Sequence, residues 1–288
     1  MTIKVAVAGA RGRMGGQVVK SILEAARGGG NLDLELVAGF DLNGVGEEVA
    51  PGAKLKVSSP DPDEMEKVLR AVEAEVLVDF TNAAAGVENV KIAARNKIKL
   101  VVGTTGFSAE QFKTMEDAVK DRVPAIFSPN FSIGVNVFWR LVAEAARQLR
   151  AYHYHAEIVE MHHSQKKDAP SGTAVKAAEI VSKIFSDFTG GAATFVYGRH
   201  GLTGERTDAE IGVHAVRAGD IVGEHTVLFA GTGERLEITH RAHSREAFAQ
   251  GAVKAIEWIC SKEKSRREEC RIYSMEEMMA ELESGPEI

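Results

Sequence analysis

The chain has little with which to crosslink itself: 288 residues hold two cysteines, Cys260 and Cys270, without a CxxC pair or a histidine at metal-ligand spacing. That excludes a disulfide framework, argues against a zinc site and fits a reducing, cytoplasmic compartment. No apolar run approaches the roughly 18 residues needed to span a membrane. The opening MTIKVAVAGA leads straight into a glycine-rich turn, so neither export nor anchoring is expected. Positive charge is not in excess either. A net charge of −6 and a pI near 5.9 give no broad attraction to nucleic acid, so any anion site has to be local. Internal repeats and low-complexity segments are absent as well. The length allows two ordinary domains or one large one, with a substantial core in either case.

The first half alternates short apolar runs with amphipathic stretches, the pattern of a parallel sheet covered by helices. Residues 3–8 predict a strand. Met14, Val18, Val19, Ile22, Leu23 and Ala26 share one helical face, and Gly28-Gly29-Gly30 ends that helix. Further strands are expected over 32–40, 75–81 (EVLVDFT), 99–105 (KLVVGTT) and 124–128, with a helix of about a dozen residues between the second and third of these. Ser108 with Gln111 predicts a capping box, and Asn130 to Gly134 leads into a long helix ending near Arg150. From Ala156 the texture changes to strands joined by tight polar turns, interrupted by a helix over 173–185. The runs 211–217, 221–229 and 236–242 predict an antiparallel meander. Residues 245–260 return to helical periodicity through Phe248, Ala252, Ile256 and Ile259 and are expected to pack on the first domain. KEKSRREE at 262–269 is a solvated charge run. The fold class is therefore α/β: an N-terminal Rossmann-like parallel-sheet domain plus a C-terminal α+β domain with an open mixed or antiparallel sheet.

Gly9-Ala10-Arg11-Gly12-Arg13-Met14-Gly15 lies between the first strand and the first helix, one residue off GxGxxG spacing. In that position glycines serve the tight turn, the approach of main chain to a pyrophosphate and close helix–strand packing, with the helix N-terminus facing the anion. Asp41 closes the second strand, where a carboxylate accepts hydrogen bonds from the adenosine ribose; this favours NADH. Arg11 and Arg13, read equally well as solvated loop charges, are placed to reach a 2′-phosphate, which keeps NADPH open. Gly103-Thr104-Thr105-Gly106 and Ser128-Pro129-Asn130-Phe131 end strands on the same edge and are candidate walls for ribose and nicotinamide, though plain strand-to-helix turns look much the same.

The most informative segment is EMHHSQKKDAPSGT, residues 160–173. His162, His163 and Lys166 are possible cations ahead of a helix start, where Ser171, Gly172 and Thr173 offer hydroxyls and main-chain N–H groups to a small carboxylate. Adjacent histidines lack the i, i+4 spacing of a metal site, and no metal is expected. Asp168 with Pro170 is also an ordinary helix-start combination.

GARGRMG, VDFT, GTTGF, NFSIGVNVF, EMHHSQKKDAPSGTA, YGRHGLTGER, AVRAGDIVGEHTV and GERLEITHRAHSR, in this order, resemble the 4-hydroxy-tetrahydrodipicolinate reductase family over nearly the whole chain. The resemblance implies reduction of the dehydrated, doubly carboxylated substrate to tetrahydrodipicolinate, with NADH, NADPH or both. It also implies a second domain whose mixed sheet assembles a homotetramer. Residues 1–131, completed by 245–288, would then bind the dinucleotide, and 132–244 would bind substrate and assemble the oligomer. Motif by motif, His162 falls on the catalytic histidine, Lys166 on the proton donor, and His163, Gly172 and Thr173 on substrate contacts. Gly9 to Met14, Asp41, Gly103 to Thr105 and Ser128 to Phe131 fall on cofactor contacts. Leu42 follows Asp41 where NADPH-preferring members often carry a basic residue, and Ser164-Gln165 stands where some relatives carry Arg-His. Closure of the two domains is expected to expel water during hydride transfer. Competing readings are another two-domain reductase, such as an amino-acid dehydrogenase, and a dinucleotide-sensing module without chemistry, which would need neither Lys166 nor His162.

Overall fold

The structure, a computed structural model, describes residues 2–28, 34–262, 266 and 269–285. The expected helix stop at Gly29-Gly30, the first residues of the strand expected from Leu32 and most of the charge run lie outside the described residues. In chain order the elements are β1 (Ile3–Ala8), α1 (Gly15–Gly28), β2 (Leu34–Phe40), β3 (Val57–Ser58), α2 (Pro62–Ala71), β4 (Val76–Asp79), α3 (Ala83–Arg95), β5 (Lys99–Val102), α4 (Ala109–Val119) and β6 (Ala125–Phe127). There follow α5 (Ile133–Leu149), β7 (His155–His162), α6 (Gly172–Thr189), β8 (Thr194–Val196), β9 (Glu210–Arg217), β10 (Gly223–Gly231), β11 (Glu234–Ala242), α7 (Glu246–Ser261), β12 (Ile272–Tyr273) and α8 (Met275–Ser284). They form two compact units: Met1–Ser132 with Phe248–Ile288, and Ile133–Ala247.

The first unit is a parallel seven-stranded sheet of order β12-β6-β5-β4-β1-β2-β3, with helices on both faces. The period of two along β1 makes the layers. Ile3, Val5 and Val7 point into a core shared with Val18, Val19 and Ile22 of α1, with α7 and with Met275, Met278 and Met279 of α8. Ala6 and Ala8 point the other way, against Met65 and Leu69 of α2, Val90 and Ala93 of α3 and Met115 of α4. Burying each such aliphatic side chain stabilises the unit by roughly 1.5–3 kcal/mol. The strand order reverses at β1, which has β2 on one side and β4 on the other. In sheets of this kind ligands bind beyond the strand ends at that reversal.

Several boundaries differ from those expected. β4 stops at Asp79 and β5 at Val102, because the following residues turn away to satisfy the buried Asp79 carboxylate. The α4 capping box forms in both directions, Gln111 N–H to Ser108 Oγ at 3.1 Å and Ser108 N–H to Gln111 Oε1 at 2.9 Å. Helix α2 was not anticipated, although Asp61 caps it through the Asp63 and Glu64 N–H groups and Pro62 opens it.

The second unit is a five-stranded sheet of order β11-β10-β7-β9-β8. The antiparallel meander expected over 211–242 holds only for β10 and β11. β7 lies between β9 and β10, parallel to the first and antiparallel to the second, and the 218–222 link passes over the end of β7. Ala218 N–H to His162 O at 2.9 Å and Ser164 N–H to Gly219 O at 3.1 Å hold it there. A short polar link signals a reversal of the chain; it carries no information about a strand from elsewhere that fills the gap.

Candidate active site

The turn after β1 is shaped by main chain. Gly9 has φ +76°, and a Cβ there would stand 2.4 Å from the Phe80 carbonyl oxygen; one on Gly15 would stand 2.0 Å from the Gly9 oxygen. Both glycines are required by close approach. Gly12 differs: it is exposed, and an added Cβ would meet only Gly9, 3.1 Å away at its oxygen. Ala10 is buried, Arg13 is exposed, and the N–H groups of Arg13, Met14 and Gly15 make no hydrogen bond among the described residues. Unbonded N–H groups at the start of a helix, beside an exposed glycine, fit a pyrophosphate. At the end of β2 the Asp41 carboxylate accepts Arg11 N–H at 2.9 Å and Asn43 N–H at 3.0 Å, which joins the turn to the position expected for ribose.

The other expected walls divide. Asp79 is fully buried and accepts from the Thr104 hydroxyl, from Thr81 N–H (3.2 Å) and Oγ1 (2.9 Å), and from Asn89 Nδ2 (2.5 Å). The Ser128 hydroxyl bonds Asn130 O at 2.7 Å, and the Asn130 side chain accepts Ser132 N–H at 2.9 Å. Phe131 sits in the core, its ring edge-on to Phe80 at 5.9 Å. The side chains of Thr104, Ser128 and Phe131 are thus committed to the interior, and any ligand contact from them falls to main chain. Gly103, Thr105, Pro129 and Asn130 are partly or fully exposed at the strand ends.

In the second unit the pleat of β7 puts Ala156, Ile158, Glu160 and His162 on one buried face. Glu160, 0% exposed, is the hub. Its Oε2 lies 2.6 Å from His162 Nδ1, and Arg217 of β9 grips both carboxylate oxygens at 2.8 Å, while Ser171 N–H donates to Oε1 at 3.0 Å. Burial pushes the Glu160 carboxyl up, but the bonds from His162, Arg217 and Ser171 outweigh it and hold it at about 2. An ionised carboxylate only accepts, so His162 Nδ1 carries the proton and Nε2 is the ring nitrogen without a partner among the described residues.

His225 of β10 stands directly across from Glu160, with its ring 5.2 Å from that of His162 and Nε2 2.9 Å from Ser171 Oγ. Burial first, then the neighbouring His162, lowers it to about 3, so it is neutral. Ser171 also caps α6 by accepting Ala174 N–H at 3.3 Å. The next residue, Gly172, is exposed, has open space where a Cβ would be, and makes no N–H bond among the described residues. Thr173 is half-buried, with its carbonyl taking the Trp139 indole N–H at 3.1 Å. Lys166 is held by both oxygens of Asp168 at 2.8 and 2.9 Å, and Arg217 reaches the Asp168 carbonyl at 2.7 Å, tying the 163–171 loop to the sheet. Burial raises the Asp168 carboxyl, but the Lys166 ammonium more than offsets it and leaves it below its ordinary value. His163 is half-buried beside the cluster.

Sequence reading found His162, Lys166 and the helix start but missed Glu160, Arg217 and His225. Glu160 had a local signal, since it is two residues before His162 and so on the same face of a strand. Arg217 and His225 had none, because their place depends on β7 lying between β9 and β10.

Residues 3–131 match the family described as dihydrodipicolinate reductase, N-terminus, and 134–279 match dihydrodipicolinate reductase, C-terminus. The 4-hydroxy-tetrahydrodipicolinate reductase of Methanocaldococcus jannaschii is 49% identical, covering 90% of this chain and 93% of its own. That of Methanosarcina barkeri is 46% identical, covering 96% and 99%. Among solved structures, a dipicolinate-bound dihydrodipicolinate reductase from Paenisporosarcina sp. TG-14 superposes with a TM-score of 0.71 at 27% identity, over 95% of this chain and 98% of that one. A Rossmann-like nucleotide-binding unit, a mixed-sheet unit with the histidine cluster, and family matches that together span both place this chain in the dihydrodipicolinate reductase family of oxidoreductases.

Proposed function

We propose that the chain reduces 4-hydroxy-tetrahydrodipicolinate, by way of its dehydrated form, to tetrahydrodipicolinate on the diaminopimelate route to lysine, using NADH or NADPH. The observation that carries this reading is the joining of His162, through Glu160 and Ser171, to the exposed start of α6, on a sheet whose Arg217 also holds the Lys166 loop. A doubly carboxylated ring is the kind of ligand that an exposed helix start, with the Gly172 N–H open to it, suits beside cationic side chains.

In this reading the first unit holds the dinucleotide through Gly9 to Met14, Asp41 and the strand ends at 103–105 and 128–131. Bound there, the reduced nicotinamide supplies hydride. Ser171, Gly172 and Thr173 take one substrate carboxylate, with His163 as a further contact. Hydride addition to the conjugated imine builds negative charge on the ring, so a nearby ammonium gains in interaction energy as the transition state forms. Lys166 leaves Asp168, donates a proton to the forming anion and completes the uptake of one hydride and one proton. His162, with its tautomer set by Glu160, presents Nε2 to relay that proton or tune the site. The enzyme is read as cytoplasmic, a compartment that suits a chain with two cysteines and no disulfide framework. The face of the second sheet that carries Val159, Met161, Val216 and Leu228 is the surface proposed for assembly into a homotetramer.

The test is an absorbance assay of reduced nicotinamide with freshly made synthase product, run with NADH and NADPH in parallel. Oxidation that depends on that product is expected; oxidation of neither cofactor overturns the proposal.

A further inference from the structure

The Arg11 side chain begins beside the ribose position, since its own N–H donates to Asp41 Oδ2 at 2.9 Å. Its guanidinium does not extend over the turn. NH2 lies 2.9 Å from Glu47 Oε2, and NH1 donates to the Glu48 carbonyl at 3.1 Å. Gly44 makes room for this fold-back: it has φ +72°, and a Cβ there would sit 3.1 Å from both Arg11 Nε and Glu47 Oε2. Leu42, directly after Asp41, is 80% exposed and brings no charge.

NADPH differs from NADH by a phosphate on the adenosine 2′ oxygen, and a cation near the ribose carboxylate is what accommodates it. In this chain that cation already has a carboxylate partner. We infer that Glu47 is a specificity-determining residue: by holding Arg11 against Gly44 it withholds the guanidinium from a 2′-phosphate and makes the protein prefer NADH. The inference rests on the proposed reading of the glycine turn as a dinucleotide site. A phosphate entering beside Asp41 meets two carboxylates and has to break the Arg11–Glu47 pair. A ribose hydroxyl needs only Asp41. Arg13 is exposed without an ion pair among the described residues and is unchanged in every comparison below, so it cancels from the ratios.

The experiment measures NADH and NADPH affinity of the full chain by calorimetry, with melting temperature as a check on folding. Wild type is expected to bind NADH more tightly. Glu47→Gln, a nearly isosteric change on the surface, is expected to raise NADPH affinity about tenfold, the worth of one charge-assisted bond, and to leave NADH affinity within about twofold. Adding Arg11→Met to Glu47→Gln is expected to abolish the gain. Wild-type preference for NADPH, an unchanged NADPH affinity in Glu47→Gln, or a gain that survives in the double variant each overturns the inference while leaving the dinucleotide site standing. Failure of wild type to bind either nucleotide overturns the site and the inference together.

Discussion

The turn after β1 and the cluster at the end of β7 are both anion-ready helix starts, yet one is made from main chain and the other from side chains. At the turn, Gly9 and Gly15 let backbone pack on backbone, and N–H groups of successive residues remain for a ligand. At the cluster, the start of α6 is positioned by a carboxylate, a guanidinium and two imidazoles drawn from β7, β9 and β10. The first arrangement suits an extended pyrophosphate that needs only dipoles. The second suits a reaction in which a proton has to move, because only side chains change protonation.

If that division is right, substitutions in the two regions should fail in different ways. The largest effect is expected from Lys166→Ala: turnover falls by about 10²-fold or more with NADH affinity little changed, as loss of a general acid predicts. Steady-state rates alongside a nucleotide titration check it, and undiminished turnover removes Lys166 from the chemistry. Next is Gly12→Val, whose Cβ would press on the Gly9 carbonyl oxygen 3.1 Å away and whose methyls would crowd the exposed turn. NADH affinity should drop by roughly tenfold or more, with a smaller loss of melting temperature than a Cβ at Gly15 causes. Gly15→Ala, with its Cβ 2.0 Å from a main-chain oxygen, should mainly lower the melting temperature. Equal NADH affinity in Gly12→Val and wild type would count against the turn as a phosphate cradle.

A smaller effect separates the regions by pH. Glu160 is lowered from 4.5 to about 2, so its stabilisation is complete above 4.5 and is lost as pH falls toward 2. His225 is lowered from 6.5 to about 3; as pH falls below 6.5 the unfolded chain takes up a proton that the folded one refuses, and stability declines from there toward pH 3. Melting temperature should therefore start to fall near pH 6.5, and His225→Gln should make the decline between 6.5 and 4.5 shallower. A slope identical to wild type would place that titration elsewhere. The smallest effect is Ser108→Ala at the start of α4, which should cost about 1 kcal/mol of stability and leave activity untouched.

The same contrast explains what was legible in the sequence. A main-chain site is written locally: GARGRMG between an apolar strand and an amphipathic helix identifies both the turn and its neighbours, and Asp41 follows from the end of the next strand. The capping box at Ser108 and Gln111 is equally local. A side-chain site is written across the chain. EMHHSQKKDAPSGT displays His162, Lys166 and the helix start, but Arg217 lies 57 residues from Glu160 and reaches it only because β7 lies between β9 and β10. A short Ala-Gly-Asp link read as a hairpin concealed that insertion, and with it the hub. Thr104 and Phe131 show the converse: their positions at strand ends invited a ligand role, while Asp79 and Phe80 draw their side chains inward.

The most direct measurement of the central claim is a crystal structure of the protein with NADH and dipicolinate. The account predicts the pyrophosphate on the turn of residues 9–14, one dipicolinate carboxylate on the N–H groups at the start of α6, and His162 Nε2 and Lys166 Nζ facing the ring. Dipicolinate bound elsewhere, or a ring that neither His162 nor Lys166 approaches, would contradict it.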